Sequence, residues 1–334
     1  MVGAVHAPCE KVLSVRAPRR PVLAALVVAA SLSITGCASS TASGSVLDAV
    51  KIEGSDPAAA PTVAISKKPL KATASVSKVL KEGDGAAVTK DDMASVNALI
   101  VNGTSGNTVD STWDTKTPVG IDLSHEALFP ALRTQLPGKK VGSRVLIVAP
   151  PKDVFGTEGN SAAGLKGTDT VVMVLDILGA TKPLAEAKGE AVAPVEGQPT
   201  VEYKGPKEPS VVTMPAGAAA PTSLVVQPLI AGTGAELTQG QTVRVNYTGV
   251  LWKDGSVFDS SSTRDPGYFE FQLGGGNVIS AWDNGLKGQK VGSRVMLIVP
   301  PADGYGATGS PPKIAGDDTL VFVVDILGTT PAEQ

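Results

Sequence analysis

The chain has 334 residues, 42% hydrophobic but only 4% aromatic, with 29 basic against 32 acidic side chains and a formal net charge of −3. That length accommodates two domains, and the slight acidity excludes the electrostatic footprint of a protein that grips nucleic acid or anionic lipid. Two cysteines, Cys9 and Cys37, exclude a small disulfide-stapled scaffold, so stability must come from burial.

In chain order, Lys11, Arg16, Arg19 and Arg20 precede the apolar run Val22 to Ala30. The run is too short to cross a bilayer as a helix and suits the core of a signal peptide. It ends at Ile34-Thr35-Gly36-Cys37, which resembles the bacterial lipobox, where a peptidase cuts before the cysteine and the thiol receives a diacylglycerol. Residues 1–36 are therefore expected to be removed. Cys37 is expected to carry lipid that anchors an extracytoplasmic protein to the cell membrane. The alternative is an ordinary secretory signal with a chance cysteine. Removal takes away four basic residues and one acidic one, which makes the mature chain more acidic.

Residues 37–60 are Ser, Ala, Thr and Gly with few large apolar side chains, a composition expected to form a flexible tether. Beyond them the chain repeats itself. LPGKKVGSRVLIVAPPKDVFG, from Leu136, recurs as LKGQKVGSRVMLIVPPADGYG, from Leu286, at an offset of 150 residues. A period that long means a duplicated domain rather than a solenoid. The expected division is a first module at 61–180, an Ala-, Glu-, Pro- and Gly-rich linker at 181–198, a second module at 199–328 and a tail at 329–334. The openings Pro61-Thr62-Val63 and Pro199-Thr200-Val201 echo each other. The copies differ in aromatics: of thirteen, ten fall between Tyr203 and Phe322, against Trp113, Phe129 and Phe155 in the first.

Within the second module, Leu224–Gln227, Thr242–Leu251, Tyr268–Leu273, Arg294–Val299 and Leu320–Leu327 read as strands, rich in Val, Ile, Leu and aromatics and bounded by Gly, Pro and Asp. Asp254-Gly255 supplies a hairpin turn. Val278–Leu286 places Val278, Ile279, Trp282 and Leu286 on one face of a short helix, with Gly288 as its stop. A sheet of about five strands with one helix on a face is α+β.

The segments VNYTGVLWKDGSVFDSS, FEFQLGGGNVISAWDNGLKGQKVGSR and PPADGYGATGSPPKIAGDDTLVFVVDIL together resemble the FKBP family of peptidyl-prolyl cis-trans isomerases over almost the whole second module. The resemblance implies two FKBP-like domains, each a curved antiparallel sheet wrapped around a short helix. It implies a shallow apolar pocket that needs no metal or cofactor. Carried over, Tyr247, Phe258, Asp259, Trp282, Tyr305 and Phe322 are the catalytic positions, and Phe269, Val278, Ile279 and Ile314 line the substrate site. Trp282 forms the floor, Tyr247, Phe258 and Phe322 the walls. The Ile279 N–H and the Tyr305 hydroxyl bind substrate carbonyls, and Asp259 lies beside the twisting imide. Phe271, two residues from Phe269 on one strand, reads more simply as core.

The chemistry accounts for such residues. The peptide bond resists rotation by about 18–20 kcal/mol because the planar amide is resonance-stabilised. At the twisted transition state that resonance is lost and the amide is less polar, so an apolar aromatic pocket favours it over a well-solvated planar ground state.

In the first module Tyr247 aligns with Ala98, Phe258 with Val109, Phe269 with Val119, Trp282 with Leu132, Tyr305 with Phe155 and Phe322 with Val172, while Asp110 keeps the polar position. A folded domain with little or no isomerase activity is expected there. Two departures stand out in the second module. The loop 260–268 is one residue longer than the common form, which leaves the partner of Asp259 open, and Lys313 stands where an apolar residue is usual.

Other constellations lead nowhere specific. Gly274-Gly275-Gly276 lacks the residues of a phosphate loop. His125 alone builds neither a metal cluster nor a triad. Asp317, Asp318 and Asp325 read as turn and solvated strand positions. The reading is a lipid-anchored prolyl isomerase acting on proline-containing segments of exported proteins, with macrolides as candidate inhibitors. The rival is a noncatalytic peptide-binding chaperone or adaptor.

Overall fold

The computed structural model describes residues 45–330, so the leader, Cys37 and the last four residues lie outside the described part. Each module is built on one antiparallel sheet. In the first, Val76–Lys81, Arg144–Ala149, Val171–Thr181 and Met93–Asn102 follow one another across the sheet, and Thr108–Ser111 and Val119–Asp122 both pair with the far edge of Met93–Asn102. In the second, the order is Val257–Ser260, Thr242–Leu251, Leu320–Thr329, Arg294–Val299 and Val225–Gly232, with Phe269–Gln272 also paired to Thr242–Leu251. The linker contributes Gly189–Ala191 as a further edge strand beside Val225–Gly232.

Period-two alternation gives each sheet two faces. The inner face of the second sheet carries Val243, Val245, Tyr247, Val295, Leu297, Phe322 and Val324, which pack against Ala281, Trp282 and Leu286 of the helix Ser280–Leu286. In the first, Val96, Ala98, Val145, Ile147, Met173 and Leu175 pack likewise against Ala131 and Leu132 of the helix Pro130–Gln135. The expected helix begins later than its apolar pattern, because Ile279 is extended at φ −60°, ψ 148° and serves as the cap.

The outer face corrects the expectation of a free tether. Residues 46–49 form a 3-10 turn and Val50–Glu53 pairs with Thr62–Ile65, so residues 45–60 belong to a hairpin. That hairpin covers a second cluster of Leu99, Val101, Leu146, Val148, Val172 and Val174. The second module repeats the device with Thr200–Glu202 paired to Val211–Thr213 over Val250, Met296, Ile298, Val321 and Val323. The two Pro-Thr-Val openings are thus not equivalent, since Thr62 begins the second strand of its hairpin and Thr200 the first. The tail expected from 329 also begins too early: Thr329 lies in the last strand, and Thr330 N donates to Thr242 O at 2.9 Å.

A buried ion pair anchors each cover. Arg294 meets Asp325 through two bonds of 2.6 and 2.7 Å, and its guanidinium lies 3.5 Å over the Tyr203 ring beside the hairpin. Arg144 meets Asp176 in the same way, and its remaining N–H groups donate to Gly54 O at 2.6 Å and Asp56 O at 3.2 Å. Asp325 is therefore no solvated strand position: its side chain is 3% exposed. Asp318 is a buried turn residue that accepts from Ala315 N at 2.7 Å and pairs with Lys253 at 2.8 Å.

Candidate active site

Four elements of the second module converge on Trp282. The strand Thr242–Leu251 turns Tyr247 inward, Val257–Ser260 supplies Phe258, Leu320–Thr329 supplies Phe322, and the helix presents the indole from below. Around Trp282 stand Tyr247 at 5.1 Å and Phe322 at 5.4 Å between centroids, both within 5° of perpendicular, with Phe271 at 5.5 Å and Phe269 at 6.1 Å. Phe258 meets Phe322 edge-on at 5.5 Å. Edge-to-face pairs are the favoured aromatic geometry, so the cluster holds its own shape. Ile314 is buried in it, and half-buried Val278 and Ile279 pack beside it. Phe271, expected as core, is buried behind the floor.

The polar groups sit at the rim. The Tyr247 hydroxyl donates to Asp259 and accepts from Arg264, and Arg264 Nη1 lies 3.1 Å from the other Asp259 oxygen. The longer loop thus still delivers a cation to Asp259. Tyr305 is 42% exposed, which leaves its hydroxyl accessible. Lys313 Nζ donates to Phe258 O at 2.7 Å and ties the overhanging loop to the pocket wall. The indole N–H of Trp282 is buried without a protein partner among the described residues, an unsatisfied donor that packing alone disfavours. The glycine loop before the helix is occupied by Asp283, which accepts from Gly274 N at 2.8 Å and Gly276 N at 3.2 Å. Of the ten residues expected from the sequence, Tyr247, Phe258, Phe269, Val278, Ile279, Trp282, Ile314 and Phe322 pack in one cluster, and Asp259 joins it through Tyr247.

Sequence reasoning missed Gly249. It faces Phe322 across the strand pair, and a Cβ there would lie 2.6 Å from Phe258 Cζ and 3.0 Å from Phe322 Cε1. The absence of a side chain is what admits both rings. Its counterpart in the first module is Ile100, buried at 2% exposure, which was legible from comparing the two copies. Gly249→Ala is expected to cost about 1–3 kcal/mol through overpacking; denaturant titration checks this, and an unchanged midpoint would contradict it.

The first module's site is filled. Phe155 stands where Tyr305 stands, but it is 3% exposed and packs on Phe129 at 4.9 Å. Ala98, Val109, Val119 and Leu132 give no aromatic walls. Ile100 pairs with Met173 as Gly249 pairs with Phe322, so the residue matching Phe322 is Met173. Val172 lies in the outer cluster; the loop before that strand is one residue longer in the first module, which shifts the register by one. Asp110 accepts from the adjacent Ser111 N at 2.9 Å.

Two copies of one sheet, with an aromatic site in the second, have counterparts among known sequences. The family described as FKBP-type peptidyl-prolyl cis-trans isomerase matches residues 85–178 and 234–327, more than half of the chain. The chain belongs to the FKBP family. An FK506-binding protein of Streptomyces anulatus is 43% identical over 112 residues, 33% of this chain and 90% of that protein. The 39 kDa FK506-binding nuclear protein of Drosophila melanogaster is 45% identical over 97 residues, 29% of this chain but only 27% of that protein. The solved structure of three FKBP domains of wheat FKBP73 covers 79% of this chain and 98% of that one at 21% identity and a TM-score of 0.31, so the assignment stands on the sequence matches.

All four tyrosines of this FKBP chain lie in the second module, and each is shifted upward. Burial raises Tyr203 to about 12. Burial, then the hydrogen bond to Asp259, raises Tyr247; burial, then the bond to Asp122, raises Tyr268; burial, then the Asp259 charge, raises Tyr305. A pKa raised in the folded state stabilises fully below the unfolded value of about 10 and is lost as pH climbs through the folded values. Little tyrosinate absorbance is therefore expected from the folded chain near pH 10.5, with stability falling as pH rises further. Normal titration of two or more tyrosines without unfolding would contradict this.

Proposed function

We propose that the second module catalyses cis-trans isomerisation of Xaa-Pro bonds in exported proteins and that the first module does not. The observation that carries this is the aromatic cluster closed around Trp282, with Tyr247, Asp259, Arg264 and Tyr305 at its rim, set against a first-module site filled by Ile100 and Phe155. The prolyl ring rests against the indole. The aromatic walls disfavour the planar, polar amide relative to the twisted one. Asp259, held by Arg264 and Tyr247, keeps a fixed charge beside the imide, while the Tyr305 hydroxyl and the Ile279 N–H orient substrate carbonyls.

Uncatalysed Xaa-Pro isomerisation takes tens to hundreds of seconds, slow enough to limit folding of secreted chains. The lipobox-like Ile34-Thr35-Gly36-Cys37 supports a site of action outside the cytoplasm, with the protein held at the membrane by lipid on Cys37. The test is acceleration of Xaa-Pro isomerisation by the full chain. Acceleration abolished by Tyr247→Ala and retained in Phe155→Ala supports the reading; no acceleration by folded wild-type protein overturns it in favour of a peptide-binding role.

A further inference from the structure

The two modules meet through a buried charge cluster that the isomerase chemistry does not use. Asp122 ends the strand Val119–Asp122 of the first module, and its side chain is 2% exposed. It accepts from Ser124 N at 2.9 Å within its own module, and from the second module it accepts from the Tyr268 hydroxyl at 2.6 Å and forms an ion pair with Arg244. Arg244 lies 4.0 Å over the Tyr268 ring and also pairs with Glu270 at 2.9 Å. His125 of the first module packs edge-on to Tyr268 at 6.5 Å. Burial works against the charge on Asp122, but the Ser124 and Tyr268 hydrogen bonds and Arg244 hold its carboxyl below the ordinary value.

The strand geometry connects this cluster to the pocket. Successive side chains of a strand point to opposite faces. Tyr268 and Glu270 therefore face the first module, while Phe269 and Phe271 face the aromatic cluster, where both pack on Trp282. That strand is only four residues long and is paired along one edge, from Thr242 opposite Gln272 to Val245 opposite Phe269. A short strand held on one side frays readily unless something grips it from behind. Among the other contacts between the modules, Thr181 Oγ1 donates to Thr329 O at 2.8 Å and Gly328 lies close against Met93, both away from this strand, while Gly120 lies against Thr330 and against Thr242, the partner of the strand's last residue Gln272.

We infer that the first module is a positioning element for the prolyl pocket, with Asp122 gripping the back of the Phe269–Gln272 strand through Tyr268 and Arg244 so that Phe269 and Phe271 stay against Trp282. This rests on the proposed isomerase site for its kinetic consequence but not for its structural one. It gives the degenerate copy a role that needs no activity of its own. The positioning residue is Asp122; the groups that touch substrate remain those of the second module.

The experiment uses the full chain and three variants. Asp122→Asn removes the charge, Tyr268→Phe removes one hydrogen bond while keeping the ring, and Thr181→Val loosens the modules away from the strand. Amide hydrogen exchange at Phe269–Gln272 is expected to accelerate about tenfold or more in Asp122→Asn and less in Tyr268→Phe. In Thr181→Val it is expected to stay as in wild type. For an Xaa-Pro peptide, KM is expected to rise about three- to tenfold in Asp122→Asn with kcat nearly unchanged, and the Asp122→Asn/Tyr268→Phe double variant is expected to be non-additive. Wild-type protection in Asp122→Asn overturns the inference, as does equal loss of protection in Thr181→Val, which would mean general loosening. If wild-type protein fails to accelerate isomerisation, the function proposed above is wrong, and hydrogen exchange alone still decides whether Asp122 braces the strand.

Discussion

Trp282→Leu is expected to lower kcat/KM for an Xaa-Pro peptide by about a hundredfold or more, which corresponds to about 2.7 kcal/mol of lost transition-state stabilisation. Leucine is the residue the first module holds at this position, Leu132, where it is fully buried and compatible with the fold. The substitution removes the one surface contacted by Tyr247, Phe269, Phe271 and Phe322 together. It leaves the rim pair of Asp259 and Arg264 in place, so a surviving peptide affinity with lost rate enhancement is the expected pattern. Stability is also expected to fall, since trimming a buried aromatic leaves a cavity. The comparison that separates the two effects is the rate at a temperature where circular dichroism shows the variant folded. Retention of wild-type kcat/KM there would remove Trp282 from the mechanism.

The second large effect is expected on stability. Arg294→Met leaves Asp325 charged, 3% exposed and without its partner. Breaking such a pair from one side costs about 3–5 kcal/mol. The loss is expected to be compounded at the hairpin Thr200–Thr213, because the guanidinium stacked on Tyr203 disappears with it. The double variant Arg294→Met/Asp325→Leu is expected to recover most of the stability, since an apolar pair of similar volume needs no desolvated charge. Denaturant midpoints of the three proteins check this. A single variant within 1 kcal/mol of wild type, taken as the scale of an ordinary surface pair, would mean the ion pair anchors nothing.

Much of this molecule was legible in its sequence, for identifiable reasons. Thr242–Leu251 and Arg294–Val299 occupy the bounds that their apolar runs and flanking turn residues implied. The Asp254-Gly255 turn is realised with Gly255 at φ +70°, a conformation that glycine adopts without strain. The aromatic positions converge on Trp282 because the resemblance was carried by whole segments rather than by single aromatics.

What stayed hidden was what composition does not encode. The outer hairpins are built from pieces of three or four residues in Pro- and Gly-rich surroundings, and Val201 and Val212 alone give no periodicity to read. Asp325 looked like an exposed strand residue because a lone carboxylate in a sequence does not announce an arginine on the neighbouring strand. Asp122 and Arg244 are far apart in the chain, and their pairing depends on how two folded modules pack. Gly249 was readable in principle, since its replacement by Ile100 in the other copy marks where an aromatic pocket needs empty space.

The most direct test of the central claim is a heteronuclear NMR titration of the isotope-labelled full chain with an Xaa-Pro peptide, following protein amides and peptide cis-trans exchange in the same samples. The account predicts shifts at Ile279, Trp282 and their neighbours in the second module, none around Ala98 and Phe155, and exchange between the peptide isomers accelerated by the protein. Shifts centred on the first module, or binding at the second without accelerated exchange, would contradict it.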